Sequence, residues 1–308
     1  MGAFGLEAAL VVTGVGHVLD PEVDPRRYLK VKKLRKFMGA QDRMAVVAAG
    51  LALADAGLDG APQGEEVGLY AAVGALPFRR DDIDLLLEGA LDDAGRFSMP
   101  AYAARGYEAV NPLLTFRCLS NMPAFHVSSS FDVQGPYLTT YPGPGQLYAA
   151  LEEAALALAE GRVRRALVLG VAHQDNFLVR QHVARLAAPA AGTSAREAGA
   201  TLAGRLPDGA GCLVLETAAA AAARGARTRA RLTAAALDYA AHDPFEEGDV
   251  AGAERFSADV GAPLDLGPAS LPVALALAFG AGEPAAALEH TLAARDGFRA
   301  SSAWERAS

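Results

Sequence analysis

Apolar and polar positions along the chain alternate between strand and helix signals. Residues 9–16, Ala-Leu-Val-Val-Thr-Gly-Val-Gly, are an apolar run ending in glycines and predict a buried strand. Gln41 to Gly57 carries apolar residues at helical spacing, with Gly57 as the C-terminal stop. Val67–Val73 reads as a second buried strand, and Asp81 to Ala94 as an amphipathic helix with Ile83, Leu85, Leu86, Leu87 and Leu91 as its apolar set. Four elements then follow in close order. An apolar helix runs from Asn121 to about Phe131. A Gly135-Pro136 turn leads into a short strand, and the corner Tyr141-Pro142-Gly143-Pro144-Gly145 opens an alanine-rich helix. That helix returns to a buried strand, Ala166–Val171. Farther on, Gly209–Glu216 predicts a strand with an alanine-rich helix through Ala223, and Arg229–Asp238 another strand. Residues 273–280, Val-Ala-Leu-Ala-Leu-Ala-Phe-Gly, predict a helix. The segments 192–208 and 239–262 lack periodicity and read as irregular connections. Helices interleaved with strands, and a corner that leads from strand into helix, point to an α/β protein.

Composition narrows the function classes. With 308 residues and 52% hydrophobic content, the chain can bury a large core, as one domain or two fused halves. A net charge of −8 argues against nucleic-acid binding as the main task. No apolar run reaches the length of a membrane span, so no membrane partner is expected and the cytoplasm is the expected location. Two cysteines, Cys118 on a predicted helix and Cys212 in a predicted strand, form neither a disulfide framework nor a metal-binding pair.

Candidate chemistry is sparse. Gly14-Val15-Gly16 lacks the third glycine and the following helix of a dinucleotide site, so no cofactor is expected. Asp81, Asp82, Asp84, Asp92 and Asp93 lack the alternating spacing of a calcium loop, and no metal is expected. The basic run Arg26, Arg27, Lys30, Lys32, Lys33, Arg35 and Lys36 reads as a solvated face, with docking of an acidic partner as the alternative. His126 lies on an apolar helix face, where a hydrogen-bonded core residue is the usual role. His173 follows a buried strand with Asp175 beside it, but no nucleophile is placed with them.

Asn121, Met122, His126, Gly135, Pro136, Leu138 and Thr139 resemble, in order and spacing, the N-M-x-x-x-H helix and G-P-x-L-T strand of the β-ketoacyl synthases. Those enzymes serve fatty-acid and type II polyketide assembly. The first strand, the helix from Asp42-Arg43 and the Gly209–Glu216 strand are similar to theirs as well. The resemblance implies the layered α/β/α/β/α thiolase fold over residues 8–216, a first half spanning 1–216, and a truncated second half spanning 217–308. In that family a cysteine at the corner accepts the acyl chain, and two histidines of the second half support decarboxylation. Counting without a gap, the cysteine position falls on Pro144, and a one-residue slip would place Gly145 there. The second histidine position falls on Pro268. The H-G-T-G-T motif is absent, and Glu289-His290-Thr291 is a decoy too near the C-terminus. A frame without its catalytic residues resembles the chain-length factor, the cysteine-less partner of a ketosynthase. The resemblance then implies a catalytic ketosynthase subunit as partner and an acyl carrier protein contacted mainly through it. Leu113, Leu114, Phe116, Leu119 and Met122 would be the gate of the acyl tunnel, or else ordinary core. An independent decarboxylase or hydrolase on the same frame, and a scaffold without a tunnel role, remain the alternatives.

Overall fold

The computed structural model describes residues 2–4, 8–77, 80–110, 112–117, 119–181, 206–239, 253–257, 266–280, 285–294 and 297–307. Its strands are β1 (Gly2–Ala3), β2 (Leu10–Val18), β3 (Val67–Val73), β4 (Tyr137–Thr140), β5 (Arg165–Ala172) and β6 (Gly209–Thr217). They continue as β7 (Ala230–Tyr239), β8 (Ala253–Phe256), β9 (Ala287–Ala293) and β10 (Phe298–Arg306). The principal helices are α1 (Ala40–Asp55), α2 (Arg80–Gly89), α3 (Met122–Phe131), α4 (Gln146–Ala159), α5 (Ala218–Ala223) and α6 (Ser270–Phe279).

The ten strands of the described residues belong to one sheet of order β4-β3-β5-β6-β2-β7-β10-β9-β8, with β1 paired to β7. The order carries an internal echo about the β2–β7 seam. On one side β2 is followed outward by β6 and β5, all antiparallel neighbours, and on the other β7 is followed by β10 and β9, again antiparallel. A corner and a helix precede β5 and β9 alike, namely α4 and α6. The echo ends at the rims, where β3 runs parallel to β5 but β8 runs antiparallel to β9.

The two sides differ in how they are covered. Every residue of β3, and nearly every residue of β5 and β6, is buried, because helices lie on both faces. Helices α1 and α3 cover one face, with Met44, Val47, Leu53 and Val127 in a core shared with Leu69, Leu167 and Val214. Helices α4 and α6 cover the other, with Leu147, Leu151 and Leu275 against Val168, Leu213 and Leu215. The same core continues to Leu288, Leu292 and Trp304 of β9 and β10. Thus α4 and α6 lie between the two runs of strands, as the middle layer of a thiolase-like fold. Strand β9 alternates strictly between exposed and buried residues, the signature of a sheet covered on one face.

Glycines set the closest approaches. A Cβ on Gly14 or Gly16 of β2 would overlap the Ala52 or Ala48 carbonyl oxygen of α1. A Cβ on Gly170 of β5 would overlap the Pro268 carbonyl oxygen.

Several expectations change. The predicted helix at Asp81 stops at Gly89, and Leu91 instead bridges to Phe97. Leu85 and Leu87 point outward, so the apolar set there does not form one buried stripe. The acidic stretch read as irregular contains β8, whose Glu254 is tolerated in a strand because it is paired (below). Most of the 192–208 connection, like Asn111 and Cys118, lies outside the described residues. Cys212 sits in β6 as expected, with its thiol pushed up to about 12 by burial.

Candidate functional site

The corner before α4 is built by Tyr141-Pro142, joined by a cis peptide bond, followed by Gly143, Pro144 and Gly145. Gly145 is the helix N-cap. A Cβ there would overlap the Phe298 side chain at the start of β10, so the corner approaches the far run of strands directly. Thr140 Oγ1 donates to the Gln146 carbonyl at 2.9 Å, tying strand to helix across the bend. Residues 141–147 hold no cysteine, serine or threonine. Proline at 144 further removes a backbone N–H that could polarise a carbonyl.

The second corner, Gly267-Pro268-Ala269, opens α6. Gly267 has φ +58°, which favours glycine. Pro268 rests on Gly170 of β5, and α4 packs against the same 267–269 turn. Pro268 is therefore delivered to the central strand β5, whereas the corner after Pro144 meets Phe298 at the start of β10. Ser270, 1% exposed at the start of α6, has no hydrogen-bond partner for its hydroxyl among the described residues.

At the C-terminal end of β5 the structure corrects the sequence pairing. His173 Nδ1 lies 3.0 Å from Asp208 Oδ2, whereas Asp175 pairs with Arg180. Asp208 also accepts the backbone N–H groups of Gln174 (2.6 Å) and Asp175 (3.2 Å), so it organises the turn after the strand. A partner 35 positions away was invisible to a local reading.

His290 is drawn into the interior at 2% exposure, where it links three strands and a helix. Its Nε2 is 2.9 Å from Glu254 Oε1 of β8, and its Nδ1 is 2.6 Å from the Tyr148 hydroxyl of α4. That hydroxyl lies 2.9 Å from Ser302 Oγ of β10, which accepts the Trp304 indole N–H at 2.9 Å. Indole can only donate and a carboxylate can only accept, so one proton assignment uses every donor. In it Trp304 donates to Ser302, Ser302 to Tyr148, and Tyr148 to Nδ1, while Nε2–H donates to Glu254. Burial keeps the Tyr148 phenol far above its usual pKa, hence a neutral donor. Phe256 stacks on the imidazole at 4.5 Å between ring centres. The arrangement anchors α4 to the second run of strands.

Residues 113–122 divide. Leu114 and Met122 are buried, Leu113 is half-buried, and Phe116 (41%) and Leu119 (46%) are exposed. The Phe116 ring packs at 5.3 Å against Phe37. Leu87, Phe97, Met99, Tyr107 and Phe125 are further exposed large apolar side chains. In the basic run, Arg26 and Arg35 pair with Asp24, Lys30 pairs with Asp132, and Lys36 lies over the Phe37 ring. Much of that charge is thus met locally, as a solvated face would have it. Among the described residues no cluster of metal-ligating side chains occurs. No described helix is long and apolar enough to cross a membrane.

The profile of the β-ketoacyl synthase N-terminal domain matches residues 8–221. The chain belongs to the β-ketoacyl synthase family. No curated protein matches this ketosynthase-family chain significantly. Solved structures share its fold. A complex of a type II PKS acyl-carrier protein with its ketosynthase bound to the hexaketide aligns at TM-score 0.66 and 14% identity, over 97% of this chain and 100% of that one. A β-ketoacyl synthase from Burkholderia phymatum STM815 aligns at 0.62 and 15%, over 98% and 100%. The ishigamide ketosynthase/chain length factor aligns at 0.61 and 18%, also over 98% and 100%.

His126, part of the ketosynthase-like motif on α3, is buried with neither ring nitrogen hydrogen-bonded, contrary to the bonded core role expected from sequence. Its Nε2 is 4.0 Å from Asp42 Oδ2 of α1, but the two do not form an ion pair. Burial lowers His126 to about 4 and raises Asp42 to about 7, so near pH 5 both are mainly neutral. Asp42 still accepts the Gly39 N–H at 2.7 Å and caps the helix. The two groups act oppositely on stability. From about pH 4 to 6.5 the unfolded chain binds a proton at His126 that the folded chain lacks, so this group makes stability rise with pH. From about 3.8 to 7 the folded chain keeps the Asp42 proton that the unfolded chain releases, so Asp42 makes stability fall with pH. Asp42→Asn is expected to leave a rising profile and His126→Asn a falling one, each spanning roughly 2–4 kcal/mol. Urea unfolding at a series of pH values checks this. Unchanged profiles in both variants would refute the assignment.

Proposed function

We propose that this chain is the non-catalytic chain-length factor of a type II polyketide synthase, a subunit that pairs with a catalytic ketosynthase and shapes its acyl tunnel. The observation that carries the reading is the pair of corners, Pro144 and Pro268, where a ketosynthase would hold a nucleophile and a histidine. Acyl transfer needs an activated nucleophile with oxyanion support, and proline supplies neither. The exposed apolar set at Phe97, Met99, Tyr107, Phe116, Leu119 and Phe125 supports a protein partner. So does β4, a sheet edge with Tyr137 71% exposed.

In this reading Leu113, Leu114, Phe116, Leu119 and Met122 are the gate, with the exposed members completed by the partner. The acyl carrier protein docks mainly on the ketosynthase, and the complex is cytoplasmic. In this reading the chain divides into halves at 216/217, and the chains it serves are of the reduced or polyene class.

Co-expression with a ketosynthase encoded beside it tests the reading. A one-to-one complex on size-exclusion chromatography should elongate while neither chain does so alone, and Phe116→Ala should lengthen the products. Complex formation without any shift in length would favour a scaffold. The second reading, an independent decarboxylase or hydrolase, has the His173–Asp208 pair at the end of β5 in its favour. Turnover by the purified chain alone, lost in His173→Ala, would establish it.

A further inference from the structure

Three arginines line a cleft of about 430 Å³ beside the seam where β2 meets β7. Arg227, Thr228 and Arg229 lead into β7, Arg306 ends β10, and Phe279 ends α6. The three guanidinium groups are not equivalent. Arg229 Nε donates to Asp55 Oδ2 at 3.0 Å, its Nη2 pairs with Oδ1, and its Nη1 donates to the Gly280 carbonyl at 3.4 Å. Asp55 Oδ2 also accepts the Val15 N–H at 3.0 Å. Asp55 thereby cancels and fixes Arg229, with nothing left over for a neighbour. Among the described residues, Arg227 and Arg306 have no carboxylate partner. Two uncompensated cations consequently share one concave site in a chain whose net charge is −8.

We propose that this cleft binds a small phosphorylated molecule, with its phosphate held between Arg227 and Arg306. A phosphate group carries up to two negative charges and several oxygens at tetrahedral angles, which suits two guanidinium forks arriving from the segment before β7 and from the end of β10. Thr228 supplies a hydroxyl at the same rim. The volume suits a small phosphate ester. Arg229 serves as the fixed wall. The site is separate from the two corners and from the exposed apolar set, so it stands or falls independently of the partner assignment.

Isothermal titration with inorganic phosphate and pyrophosphate at constant ionic strength tests the proposal, on the 308-residue chain alone or in complex with its ketosynthase. Saturable one-to-one binding is expected, tighter for pyrophosphate. Arg227→Gln and Arg306→Gln should each weaken it about tenfold, and the double variant should abolish it. Both substituted side chains are exposed, so the variants should unfold at the wild-type temperature without ligand. The proposal is overturned by absence of saturable binding, by wild-type affinity in the double variant, or by chloride competing equally at matched ionic strength. A chain that pairs with a ketosynthase yet binds no phosphate would refute this site alone.

Discussion

His290→Leu is expected to destabilise the fold by about 3 kcal/mol, although leucine fills much of the imidazole's space. The cost arises from what is left behind. The Glu254 carboxylate, 8% exposed, loses its donor, and the Tyr148 hydroxyl, buried inside α4, loses its acceptor. Tyr148→Phe should cost less, about 1 kcal/mol, because the imidazole keeps Glu254 and Ser302 keeps the indole N–H. Glu254→Gln should also be mild, since an amide oxygen still accepts from Nε2. The ranking of the three variants in urea unfolding is the readout. Equal effects, or a His290→Leu variant within 0.5 kcal/mol of wild type, would show that the relay does not anchor the helix.

Gly170→Ala should have a comparable effect from a single methyl group. The added carbon would overlap the Pro268 carbonyl oxygen, which is backbone and cannot rotate aside. Separating the turn from β5 costs about 3 kcal/mol, at the upper end for overpacking. It would also shift the Gly267-Pro268-Ala269 corner away from α4. Gly57→Ala provides the contrast. That glycine has φ +67° with open space around it, so only backbone strain of about 1 kcal/mol applies. If the two variants prove equally stable, the close packing of the second corner on β5 is wrong.

What could be read from the chain followed burial. Strands β3, β5 and β6 are apolar throughout because both faces are covered, so continuous runs such as Val-Gly-Leu-Tyr-Ala-Ala-Val announced them. The glycine- and proline-rich corner at residues 141–145 was legible as a turn from a short strand into an alanine-rich helix. Strands β8, β9 and β10 were not. Ala-Glu-Arg-Phe looks like loop until Glu254 is seen against His290, and β9 hides its alternation among alanines and threonine. The partner of His173 was misassigned because Asp208 is distant in sequence and reaches it only through the β5–β6 pairing. Periodicity also could not separate Leu114, which is buried, from Phe116, which is exposed, on one short helical turn.

The position of β2 bears on how the chain is made. Leu10 pairs with Thr217 and Val18 with Ala210, while the other edge of β2 meets Arg231 and Ala230. During synthesis the first long strand therefore emerges some two hundred residues before either neighbour exists. Leu10, Val11 and Val12, almost wholly buried in the end, must wait on the ribosome as an unpaired apolar segment. Such long-range closure makes for slow folding and a window for aggregation. Yield in cells should consequently respond to the rate of translation through residues 209–239, and to chaperone supply, more than to changes in the last strands.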